Sequence, residues 1–147
     1  MEDCSITLDT AINNPFEYTL YFRDVDTSGR VFDKPHYYII LPTITNELIV
    51  LSMITSQVEK VLKKYENIDQ DTLVILSKED IPDILTKEKS IIDCNIVKVT
   101  TLQELYRKMD LKIFKAHISK ELIEKIYNGI QKSPVVKTKI KKNITKG

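Results

Sequence analysis

No stretch of this 147-residue chain has enough consecutive apolar residues to cross a bilayer. The start, Met1-Glu2-Asp3-Cys4, lacks the basic lead and apolar stretch of a secretory signal. Both absences predict a cytoplasmic protein with no membrane association. An excess of one charge is missing too: 22 Lys plus Arg stand against 21 Asp plus Glu, a net charge of +1. No global field therefore draws the molecule toward nucleic acid, and any such attraction has to be local. Cysteine and histidine are scarce. Cys4 and Cys94 lie far apart with no CxxC spacing, and His36 and His117 are the only imidazoles, which argues against a zinc site and leaves no metal ligand set to name. Cys94 sits in an apolar run and reads as a small buried hydrophobe, while Cys4 reads as part of a mobile terminus. Glycine is also scarce, at 3 residues, and neither an internal repeat nor a low-complexity segment is present.

What remains is material for one core. With 42% apolar residues over 147 positions, a single domain is expected. We place it at residues 1–136, with its core at about 17–133, followed by a basic tail at 137–147. From Lys137 to Lys146 there are five lysines and no acidic residue, so the tail is expected to be a disordered solubilising end or an electrostatic RNA contact.

Periodicity sets the elements. Glu17 to Arg23 sets Tyr18, Leu20 and Phe22 against Glu17, Thr19 and Tyr21, the period of a half-buried strand. Asp24 to Lys34, with Asp26, Ser28, Gly29 and Asp33, reads as a polar loop carrying Arg30 near its tip. His36–Leu41 and Leu48–Ile54 are apolar runs predicted to form a hairpin through the core, joined by a turn over Pro42–Glu47. Ser56 to Tyr65 switches to helical period through Val58, Val61, Leu62 and Tyr65, and Ser56 with Glu59 has capping-box spacing. Thr72–Leu76 predicts a strand, Ser77–Lys89 an irregular connection, and Ser90–Val99 one strand with a polar face. Thr101 with Glu104 opens a short helix over Leu102, Leu105 and Met109. Ser119 caps a last helix whose stripe is Leu122, Ile123, Ile126, Tyr127 and Ile130. The fold class is thus α+β and mainly β, with a short helix after the third strand and a C-terminal helix.

This order resembles the PemK/MazF family of small barrels, over roughly Glu17 to Ser133. The likeness rests on Lys34-Pro35-His36-Tyr37-Tyr38-Ile39-Ile40-Leu41, similar to the family's basic-Pro strand start, and on Ile54-Thr55-Ser56-Gln57, similar to its threonine-containing strand end. Ser90-Ile91-Ile92-Asp93-Cys94 resembles a later strand, and Ile118–Ile126 resembles the closing helix. The resemblance implies an SH3-like barrel, often a homodimer, that cleaves single-stranded RNA without a metal or other cofactor and is neutralised by an antitoxin peptide. It implies catalytic roles for Lys34, on the phosphate, and for Thr55, as a hydrogen-bond donor. It also implies RNA contacts at Ser56, Gln57, Lys60, Asp93 and Asn95. The strand end at Ile54 and the segment entering at Pro35 should then meet across one groove wide enough for a nucleotide.

The chemistry is coherent: cutting RNA through its own 2′-hydroxyl needs a proton acceptor, a cation at the phosphate and a donor to the leaving oxygen. Many ribonuclease members have arginine where this chain has Lys34, and lysine lacks the bidentate fork. Arg30 is a candidate for the missing guanidinium, and His36 for acid or base near neutral pH. Plainer roles stand beside these: Thr55 and Ser56 as helix caps, His36 satisfying a backbone carbonyl, Lys34 as a solvated loop lysine. Two functions therefore remain open, a toxin-type endoribonuclease and a non-catalytic module binding a protein or nucleic-acid partner. The likeness is also compatible with a shared fold alone.

Overall fold

In the computed structural model, residues 6–25, 28–45 and 47–147 are described; Cys4, Asp26 and Asn46 lie outside the described residues. The alternating segments become β1 (Tyr18–Phe22), β2 (His36–Ile40) and β3 (Ile49–Thr55); β2 and β3 form the predicted hairpin, with Tyr37 opposite Ile54, and β1 adds antiparallel to β2, with Tyr21 opposite Tyr37. After α2 (Val58–Lys64) and a 3-10 turn at Gln70–Thr72 come β4 (Leu73–Ser77) and β5 (Lys89–Asp93), which pair with each other. The predicted single strand over Ser90–Val99 is two strands instead. Asp93 Oδ1 accepts from the Asn95 backbone N–H at 2.9 Å, turning the chain out before it re-enters as β6 (Lys98–Thr100). Both halves lie on the same edge of β3, β5 at Ile54–Thr55 and β6 at Ile49–Leu51.

Three elements were not anticipated. α1 (Leu8–Ile12) packs before β1, β7 (Lys112–Lys115) adds to the free side of β1, and α5 (Thr138–Asn143) occupies the tail. The tail expected to be disordered is therefore ordered. Its Ile144 is 4% exposed and bridges Thr43, the Lys141 ammonium donates to the Ser133 carbonyl, and Lys146 lies over the Tyr127 ring.

The sheet runs β4-β5-β3-β2-β1-β7 and is not closed into a barrel, which departs from the SH3-like expectation. The burial pattern gives the reason. Ile39, Val50, Ile54, Val74 and Ile92 face α4 (Lys120–Lys132) and its stripe Leu122, Ile123, Ile126 and Ile130. On the opposite face, Leu20, Phe22, Tyr38 and Leu51 pack on Leu8 and Ala11 of α1 and on Leu105 of α3 (Leu102–Tyr106). Further along that face, Leu73 and Ile91 pack on Val58 and on Tyr65, the residue that ends α2. A sheet apolar on both faces is satisfied by helices on both sides, whereas a small barrel leaves its outer face to water. The predicted caps at Thr101 and Ser119 form, accepting from the backbone N–H of Glu104 and Leu122. Met109, in contrast, is fully exposed.

Candidate functional site at one end of the sheet

β1 ends, β2 begins, β3 ends and β7 begins at the same end of the sheet. The β2–β3 pairing runs as far as Tyr37–Ile54, so His36 is the first residue of β2 and Thr55 the last of β3 just beyond it, and Phe22 stands opposite His36 on the other side. The Lys34–His36 segment and the Thr55–Gln57 segment are thus neighbours. The groove expected between them is absent, because the strands that carry them are hydrogen-bonded to each other. The open space lies one strand over: a cleft of about 480 Å³ lined by Tyr21, Arg23, Pro35, Asp110 and Lys112.

Each expected site residue can be placed. Lys34 is exposed just before β2. Arg30 is exposed beside Gly29, which adopts a φ of 86° that favours glycine, just before Val31, itself bridged to Val25. His36 is half-buried with Phe32 edge-on at 5.2 Å. Burial holds its pKa below the usual 6.5, the Lys34 backbone offsetting part of this, so the imidazole is neutral at pH 7. Its Nδ1 is buried with no hydrogen-bond partner among the described residues. Thr55 Oγ1 accepts from the Gln57 N–H at 3.3 Å. Ser56 does not cap α2: the cap position is Gln57, with no side-chain bond, and Ser56 is left exposed. Lys60 is exposed on α2.

Two of the residues expected to contact RNA, Asp93 and Asn95, have partners within the fold. Asn95 is 3% exposed; its amide donates to Thr72 Oγ1 at 2.9 Å and accepts from Ser133 Oγ at 2.7 Å, so no polar edge is left for a base. Asp93 holds the turn after β5 and takes the Tyr65 hydroxyl, whose pKa rises through burial and then through this bond. Cys94 is fully buried, and desolvation followed by the Asp93 charge pushes its thiol up to about 12, leaving an inert hydrophobe.

Sequence reasoning missed Arg23, Asp110 and Lys112. Asp110 Oδ2 accepts from the Arg23 backbone N–H at 2.8 Å, tying the turn before β7 to the end of β1. Neither Arg23 nor Lys112 makes an ion pair among the described residues. Two lysines of the opposite face share one carboxylate: Lys98 and Lys108 approach the buried Asp24 at 2.9 and 3.6 Å, and Lys108 also lies over the Phe22 ring. The signal for Lys112 was a short Lys-Ile-Phe-Lys alternation, readable only once β7 is recognised as a strand. Among the described residues no group of three or more His, Cys, Asp or Glu could hold a metal ion, and no helix is long and apolar enough to cross a membrane. Compared with protein-family models and with curated proteins, the chain matches none.

Proposed function

We propose that this chain is a toxin-type endoribonuclease that cleaves single-stranded cytoplasmic RNA without a metal, working at the end of the sheet. The observation that carries this reading is the β2–β3 pairing, which brings the entry to β2 at His36 and the exit from β3 at Thr55 to one end of the sheet, next to a cleft whose Arg23 and Lys112 make no ion pair among the described residues. A phosphate there meets cations from three chain segments, and Arg23 supplies the planar guanidinium that Lys34 lacks. His36, neutral because burial disfavours its charged form, suits the role of acceptor for the 2′-hydroxyl proton. Attack of that oxygen on the adjacent phosphorus expels the 5′-oxygen, which takes up a proton and leaves a 2′,3′-cyclic phosphate. In this reading the open sheet is a flattened relative of the PemK/MazF-like SH3 barrel, and its partners are RNA, an antitoxin peptide and a second copy of the chain.

A second reading, a non-catalytic PemK/MazF-like module that binds without cutting, is favoured by the recessed His36 and by Thr55 already accepting from Gln57. Incubating the purified chain with a mixed RNA pool in chelator, and mapping the ends, separates the two. New cyclic-phosphate ends that fall in a Thr55→Ala or His36→Gln variant support the enzyme. Cleavage no greater than in those variants removes it and leaves the binding module.

A further inference from the structure

Strand alternation sets Tyr21 and Tyr37 on one face, and pairing puts Tyr37 on one side of Tyr21 and Lys112 on the other. The Tyr21 and Tyr37 ring centroids are 4.4 Å apart at a tilt of 36°, and Phe114 meets both edge-on at 5.5 and 5.4 Å. Tyr21 is therefore braced by two other rings while remaining part of the cleft wall. An aromatic held this way has little freedom left to lose when a flat ligand settles on it. Arg23 and Lys112 flank it with no carboxylate partner among the described residues, and the bond from the Arg23 backbone to Asp110 fixes the walls relative to each other. Two cations against one carboxylate leave the lining net positive. A cleft of about 480 Å³ is ample for one nucleotide.

We propose that this cleft is a nucleotide subsite for single-stranded RNA, with a base stacked on Tyr21 and the flanking phosphates on Arg23 and Lys112. The assignment rests on the RNA-binding part of the function above and does not require cleavage. Cations alongside an aromatic wall are how proteins follow a single strand: the charges track the backbone while the ring takes any base. An apolar peptide would strip water from both cations without pairing them, and an acidic peptide would leave the flat wall unused.

The test is fluorescence anisotropy of an end-labelled 2′-O-methyl uridine octamer, whose blocked 2′-oxygen prevents cleavage, titrated with the full chain in chelator. Tyr21→Ala should weaken binding about 5- to 100-fold while Tyr21→Phe keeps wild-type affinity. Arg23→Gln and Lys112→Gln, both at exposed positions, should each reduce the slope of log affinity against log salt by about 0.7. Thermal melting of each variant guards against misfolding, and the two glutamine variants keep the test decisive if Tyr21→Ala fails to fold. No octamer binding by the wild type, binding unchanged in the folded variants, or preference for a polyglutamate peptide overturns the proposal. Octamer binding that depends on Tyr21, with unmodified RNA left intact, removes the ribonuclease and keeps this subsite. RNA cleaved and bound equally well by all the variants does the reverse.

Discussion

Gly129 lies where α4 crosses the turn before β4, and a Cβ built there would sit 2.7 Å from Cys94 Sγ and 2.9 Å from the Asp71 carbonyl oxygen. One of those neighbours is backbone and the other a fully buried side chain, so neither can yield cheaply. Gly129→Ala should therefore lose stability by about 1–3 kcal/mol despite its gain in helix propensity, measured by urea denaturation. His36 sets a pH signature. Its folded pKa lies below the unfolded 6.5, so the unfolded chain takes the proton first. The His36 contribution to stability is then intact above pH 6.5, falls as pH drops through that value, and levels off once the folded pKa is passed. Subtracting the stability profile of His36→Gln from that of wild type should isolate this acid limb; a flat difference contradicts the burial argument. Gly129 did not announce its situation in the sequence, because the close approach comes from Asp71 and Cys94, distant in the chain, and the burial of His36 depends on how the loop through Phe32 folds back on it.

At the scale of elements, local chemistry predicts where it acts locally. Ser119 Oγ accepts from Leu122 N–H at 3.1 Å, so Ser119→Ala should cost about 1 kcal/mol in melting or urea experiments. Ser56→Ala should be near neutral, because α2 begins at Val58 and the Ser56 side chain caps nothing. Capping-box spacing was present at Ser56 as it was at Thr101, where the cap forms, yet the chain reaching α2 still follows the β3 strand path, which puts Thr55 rather than Ser56 in reach of the Gln57 N–H. β1 to β4 and α4 were legible because their apolar period is long and unbroken. β7 was not: Lys-Ile-Phe-Lys is four residues with a charge at each end, and only pairing to β1 reveals it. The split of β5 from β6 was hidden by Asp93 and Asn95, read as a polar face and in fact forming the turn. Since Lys112 enters the cleft from β7, missing that strand meant missing half of the cationic lining.

Across the whole molecule, the departures from expectation share a cause, a sheet buried on both faces. Covering two faces needs more helices than a barrel does, and the lysine-rich tail supplies one. Its composition concealed Ile140 and Ile144, spaced for one helix face and packed with the α4 core. Ile144→Ala should therefore cost about 2–4 kcal/mol, read by urea denaturation, where a disordered tail would predict none. With the tail docked through Lys141 and Lys146, Arg23 and Lys112, which make no ion pair among the described residues, become the stronger candidates for RNA. The meeting of the β2 start with the β3 end followed from the hairpin legible in two apolar runs, whereas the cleft beside them depends on a β1–β7 pairing that no local pattern encodes. The claim on which the rest depends is that RNA engages this end of the sheet. Backbone amide NMR shifts, recorded as an uncleavable single-stranded oligonucleotide is added, test it most directly. The account predicts perturbations at Tyr21, Arg23, Lys34, His36, Thr55 and Lys112, with α4 and α5 unmoved; shifts confined to Lys137–Lys146, or none anywhere, would contradict it.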